Sequence, residues 1–245
     1  KPYVKALEAI VEPISFNWFK IQELYFMMAM HTANYKVAGD ILQKVLANPY
    51  LPAQPAHVNE LWKLYEAYIH FLLHTGELAR PETNDPLPEF KISRLMNEVP
   101  LLSKDKRGMN VPVQIIQYLY FIVQGRLADC EDRIDALNKY CTRYLNDDTT
   151  LRSRCFIKMM LQIPGSMFNA GQIRTNTARY SAQLRQHPWH TANQHREIEI
   201  LPYEDLWEIL LKYIDSQKSI PGAGATSQGR KIQNGDMSLS GKVNF

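Results

Sequence analysis

The sequence predicts an all-α fold in which antiparallel helical hairpins stack side by side. Three observations predict it. Apolar residues recur at spacings of three and four through most of the 245 residues. One turn signature is written twice in the same register: "ELYFMMAMHTANY" from Glu23 to Tyr35 and "EAYIHFLLHTGEL" from Glu66 to Leu78 place His31 and His74 43 positions apart. Only "EIEIL", Glu197 to Leu201, alternates as a strand does, and with no partner strand it reads as an extended connector.

The elements follow in order. Ile14 to Ala33 is so densely apolar that a mostly buried helix is expected, with Asn34 as a turn or cap residue. Tyr35 to Ala47 continues as a helix carrying Val37, Ile41, Leu42 and Val45 on one face. "NPYLPAQP" stops it, because each proline lacks a backbone donor and disfavours helix in its predecessor. His57 to Thr75 forms the next helix, and Gly76 suits its C-terminal end. "RPETNDPLPEF" is a proline-rich loop before a short helix from Lys91 to Glu98. Val111 to Gln124 is strongly apolar, Gly125 breaks it, and Leu127 to Leu145 is amphipathic through Ile134, Leu137 and Cys141. "NDDTT" caps a helix that runs to the Pro164–Gly165 stop, Gln172 to Gln186 is a more polar helix, and Tyr203 to Ile214 closes the body with acids in its first turn.

Hairpins are therefore expected near 14–47, 57–98, 111–145 and 150–186, with a closing helix at 203–214 inside a helical domain of 1–216. Residues 217–245 form a Gly/Ser-rich basic tail with too few large apolar side chains to offset its ordering entropy, unless Ile232, Met237 or Val243 dock on a partner.

The repeated stretch aligns Tyr25 with Tyr68, His31 with His74, Thr32 with Thr75 and Ala33 with Gly76; a third copy, "QYLYFIVQGRL", brings in Gly125. A small residue permits a tight reversal between helices, and an apolar residue two positions later fills the space between them. A hairpin so made leaves one apolar face uncovered, so hairpins pile on one another.

Leu24, Tyr25, Ala29, Ala33, Tyr35, Ala38 and Pro49 together resemble the tetratricopeptide repeat family, over about Ile14 to Leu145. The later copies depart from that pattern: Pro81 falls where a second helix is due, and Cys130 replaces a small residue. The resemblance implies an α-solenoid that binds a protein or peptide along the first helices of successive hairpins, here through Tyr25, Met28, Tyr68, Phe71, Tyr118 and Phe121.

Charge points to a second partner class. Between Thr149 and Arg196 there is no acid, while Arg152, Arg154, Lys158, Arg174, Arg179, Arg185 and Arg196 supply seven of the 28 basic residues. The region's counterpart is an acidic partner, nucleic acid or another polyanion, read by Arg152, Arg154, Lys158, Arg174, Arg179 and Arg185, or the chain's own acidic helix Leu127 to Leu145. The histidines of "HPWHTANQH" match no metal-ligand spacing, and His31 and His74 suit the helix ends near which they sit, where an imidazole bonds a late carbonyl. Cys130, Cys141 and Cys155 make no C-x-x-C pair and lie in apolar helical patterns, which implies reduced thiols and a cytoplasmic setting. No run of about 18 apolar residues spans a membrane, no signal-peptide pattern opens the sequence, and no phosphate loop or nucleophile elbow occurs. The sequence starts without methionine and reads as a fragment. The expectation is a non-enzymatic binding module or scaffold without cofactor or metal.

Overall fold

The computed structural model describes residues 11–79, 91–100, 102–189 and 198–218, and all its regular secondary structure is helical among those residues. Nine α-helices appear there: α1 (Phe16–His31), α2 (Tyr35–Leu46), α3 (Ala56–His74), α4 (Ile92–Glu98), α5 (Asn110–Val123), α6 (Leu127–Tyr144), α7 (Leu151–Met160), α8 (Ala170–Gln186) and α9 (Tyr203–Lys218). The apolar spacing locates each of them to within about one turn. Gln217 and Lys218 belong to α9 and not to the tail, and 219–245 lie outside the described residues. So does the proline-rich segment 80–90.

Local chemistry sets the helix ends. The Ser15 hydroxyl accepts from the Trp18 amide (3.2 Å) at the start of α1, and the Asn169 side chain accepts from the Gln172 amide (3.1 Å) at the start of α8. Asp147 accepts from the Thr149 and Thr150 hydroxyls at 2.7 and 3.0 Å, ordering the turn that leads into α7. Asn34 is different: its amide donates to the Thr32 carbonyl and hydroxyl, so it ties the turn and caps nothing.

The repeated His-Thr-small signature builds the same threonine bond twice. Thr32 Oγ1 donates to the Met28 carbonyl (2.8 Å), and Thr75 Oγ1 donates to Phe71 O (3.0 Å), the residue in matching register. Ala33, Gly76 and Gly125 all take left-handed backbone, at φ of 53, 79 and 67°. After α1 the Asn34 amide reaches the Ala29 carbonyl at 2.8 Å, and after α5 the Arg126 amide reaches Phe121 O at 2.8 Å, the six-to-one bond of a Schellman turn. In both places the next helix starts at the following residue. After α3 the bond slips by one, from the Leu78 amide to Leu72 O (3.1 Å), and no helix follows directly.

Packing is mostly between chain neighbours: α1 on α2, α2 on α3, α5 on α6, α6 on α7, and α7 on α8. α3 also packs on both α4 and α5, α5 on α7, and α9 lies against α8 and returns to α5. The linker after α2 fastens the first hairpin, since Asn48 Nδ2 donates to Pro13 O (3.0 Å) and Gln54 Nε2 to Ile14 O (3.2 Å). One continuous apolar cluster runs from Trp18 to Ile214. α5 is its centre, with twelve of fourteen residues buried, whereas α1 buries six of sixteen, which corrects the expectation of a mostly buried first helix. Ile198 to Leu201 crosses the core as a connector and not as a strand, with Glu199, Ile200 and Leu201 buried.

Candidate interaction surfaces

α1 turns Trp18, Phe19, Phe26, Ala29 and Met30 inward together with Gln22. Its opposite side carries Leu24 and Met28 at 65% and 63% exposure, flanked by the half-buried Ile21 and Tyr25. Positions 21, 24, 25 and 28 have the i, i+3, i+4, i+7 spacing of one helical stripe. Ile14, Phe16, Val37, Leu46 and Tyr50 are exposed on the same hairpin and its linker, so among the described residues seven of the nine exposed large apolar side chains fall between 14 and 50; Leu127 and Met167 are the others. Two of the lysines here lie over aromatic rings: Lys20 Nζ lies 5.9 Å from the Phe16 ring centre while pairing with Glu23 at 2.7 Å, and Lys44 Nζ lies 5.4 Å from Trp18.

The six residues expected to line a groove divide sharply. Met28 is exposed and Tyr25 half-buried, but Tyr68, Phe71, Tyr118 and Phe121 are core residues, so the expected continuous groove is corrected to a surface on the first hairpin. The reason is that α5 lies directly against α3 and takes up the side of α3 that a groove needs open. The Tyr68 hydroxyl donates to Pro112 O (3.1 Å) on α5, the Tyr120 hydroxyl donates back to Ala67 O (3.2 Å), and Phe71 meets Tyr120 edge-on with ring centres 6.5 Å apart.

The six expected polyanion contacts also divide. Arg152 is buried. Its guanidinium donates to Glu199 (2.5 and 3.0 Å), to Glu204 (2.9 and 2.6 Å) and to the carbonyls of Leu184 and His187 (3.1 and 2.7 Å). Burial by itself lowers its pKa, and the two carboxylates outweigh burial and raise it. Arg174 holds Glu208 with two bonds of 2.9 and 2.7 Å, and this bonding lowers the Glu208 pKa. Arg154 donates to Leu145 O and Lys158 to Asn138 Oδ1, both partly buried. Arg179 bonds the neighbouring Tyr180 hydroxyl and lies over its ring, and Arg185 donates to Ser181; these two present their charge to solvent on α8. Arg152 and Arg174 thus take their counter-ions from α9 and the connector before it and not from α6; Arg152 is corrected from a surface contact to a buried one, while Arg174 stays exposed and paired with Glu208.

The two histidines of the repeat reach across the molecule instead of bonding carbonyls of their own helices. His31 Nε2 lies 2.6 Å from the Glu199 carbonyl, and its ring sits 4.3 Å from that of Trp189. Burial lowers the His31 pKa, opposed by that bond and by the charge of Asp205. His74 Nε2 lies 3.2 Å from Val123 O in the last turn of α5 and 3.3 Å from the Tyr213 hydroxyl. Burial raises the Cys130 and Cys141 thiols to about 12 and about 11, and Cys155 is buried too, its thiol donating to Gln183 Oε1 at 3.3 Å. Among the described residues no group of three potential ligands is placed to hold a metal; His190, His195 and Glu197 lie outside them, and His187 Nδ1 lies 3.0 Å from Gln183 O. No helix among the described residues is long and apolar enough to cross a membrane.

Sequence reasoning missed the pairing of Glu199 with Arg152. The one available signal was its place between Ile198 and Ile200 in an apolar crossing, where a carboxylate needs a buried cation. Comparison with protein-family models, curated proteins and solved structures found no match to this chain.

Proposed function

We propose that this chain is a helical-repeat interaction module, arranged like the tetratricopeptide-type arrays that its turns resemble, and that it binds a partner protein without catalysing a reaction. The observation that carries this reading is the concentration of exposed apolar side chains on the α1–α2 hairpin, with Leu24 and Met28 at its middle. Their spacing suits the apolar face of a partner helix or an ordered peptide lying along α1. Binding of this kind rests on apolar burial, so it resists salt.

The test is a double variant, Leu24→Glu with Met28→Glu, in the full chain. Both side chains already face solvent, so thermal stability is expected to change by less than about 0.5 kcal/mol, while salt-resistant partner retention falls at least tenfold, by about 1.4 kcal/mol or more. Retention equal to that of the unaltered chain removes the α1 surface from the reading. Polyanion binding has support from Arg179 and Arg185 on acid-free α8. Charge reversal of both, followed by a low-salt shift assay on single- and double-stranded nucleic acid, tests it: unaltered or absent retention excludes it.

A further inference from the structure

Residues 198–218 are held by two edges of unlike chemistry. On the side of α7 and α8 the contacts are buried and dense. The Tyr203 ring stacks on Phe156 with centres 4.5 Å apart, Trp207 meets the same ring edge-on at 6.2 Å, and the hydroxyls of Ser153 and Tyr203 are 3.0 Å apart. Arg152 sits in the midst of these with a side chain only 6% exposed, against a Glu199 side chain at 0%. On the side of α1, α3 and α5 the polar contacts are links at side-chain tips, His31 to the Glu199 carbonyl, Lys212 to Glu77 at 2.5 Å, and Tyr213 beside His74 while donating to Val123 O at 3.0 Å, above the buried Leu206, Leu210, Leu211 and Ile214. Against α5 the helix also packs directly.

The Arg152 guanidinium joins three pieces of chain. Its acceptors are the Glu199 carboxylate on the connector, the Glu204 carboxylate in the first turn of α9, and the carbonyls of Leu184 and His187 at the end of α8. His31 repeats the pattern from the far side, with its ring against Trp189 and its Nε2 at Glu199 O. The stems entering and leaving the crossing between α8 and α9 are therefore drawn together by one cation on α7 and one imidazole on α1. Without Arg152 the Glu199 carboxylate keeps the Tyr203 amide, 3.1 Å away, and is otherwise a buried charge stripped of its cation.

We infer that the Arg152–Glu199–Glu204 cluster is a latch that holds residues 198–218 as a strap across the C-terminal ends of α1, α3 and α5, and that the strap opens as one unit while α1 to α6 stay folded. Opening breaks the ion cluster and the Phe156 stack together, and with them the tip contacts of Glu77, His74 and His31 and the burial of Leu206, Leu210, Leu211 and Ile214 in the core. The surface uncovered is the row of ends bearing His31, His74 and Glu77. This device is independent of the partner surface proposed on α1.

Amide hydrogen exchange of the full chain, read peptide by peptide, tests it. Arg152→Met is expected to speed exchange within 203–214 by at least about 100-fold, with less than about tenfold change in α1, α3 and α5. Glu204→Gln keeps the Arg152–Glu199 pair and is expected to give about tenfold acceleration confined to the same helix. Adding Glu199→Gln to Arg152→Met removes the stranded charge and restores slower exchange in 203–214 by at least about tenfold. Equal acceleration through all helices, or no acceleration in 203–214, overturns the latch, as does a double variant that exchanges no more slowly than Arg152→Met. If Arg152→Met fails to fold, Glu204→Gln decides: acceleration confined to 203–214 supports the latch, and uniform or absent acceleration overturns it.

Discussion

α1 and α3 end in nearly the same words and meet opposite fates. Tyr25 and Tyr68 occupy the same register before the shared His-Thr-small turn, as do Met28 and Phe71. The α3 members are sealed between helices, while Met28 stands in solvent and Tyr25 is half covered. The difference lies in the neighbours: α3 has α2 and α4 beside it and α5 against a further side, whereas α1 is flanked chiefly by α2. Apolar density in a repeated helix therefore measures what it can bury, and its place among the other helices decides what it does bury. The exposed remainder on α1 is the basis for the partner surface.

The widest gap in that comparison is at the core. Phe71→Ala is expected to destabilise by about 3–5 kcal/mol, and Met28→Ala in the same register by less than about 0.5 kcal/mol; urea denaturation measures both, and similar losses would erase the distinction. The turns sharpen it at the next level. A Cβ built on Gly76 or Gly125 meets nothing within 4 Å, so Gly76→Ala and Gly125→Ala suffer backbone strain alone, about 1 kcal/mol each. Ala33 already bears that strain, and Ala33→Gly is expected to stabilise by about 0.5 kcal/mol, a gain of about 1–2 °C in Tm. A loss of stability in Ala33→Gly breaks the equivalence of the turns.

A smaller effect separates the threonines. Thr75→Val removes a partly buried bond to Phe71 O and is expected to cost about 1 kcal/mol, against about 0.5 kcal/mol for the exposed Thr32→Val. Thermal melts of the two variants order them. The smallest effect is in pH. The folded state holds His31 below its ordinary pKa of 6.5, chiefly through burial, so the unfolded chain takes up the proton first. The His31 contribution is fully present above 6.5 and declines as pH falls from there through the lower folded value. Urea midpoints at pH 7 and pH 5 are expected to draw closer in His31→Gln, and an unchanged pH slope rejects the assignment.

Helices and turns were legible because their causes are local. A turn after each of α1, α3 and α5 was readable from Ala33, Gly76 and Gly125, and α5 was readable as an apolar run. The partners of His31 and His74 were not, since Glu199 lies 168 positions from the first and Val123 49 from the second. The basic stretch was visible, but its pairing of Arg152 with Glu199 and Glu204 and of Arg174 with Glu208 depends on where α9 comes to rest.

By itself the sequence determined a helical chain with a small residue ending three of its helices, because 3.6-residue periodicity, the small side chain at a tight turn and the missing donor of proline act within a few residues. Tertiary structure alone decided which apolar helix is central, which is an outer face, and which arginines are spent inside. Burial and ion pairing are properties of what lies within a few ångströms in space, and helices with similar faces are told apart only by what packs against them.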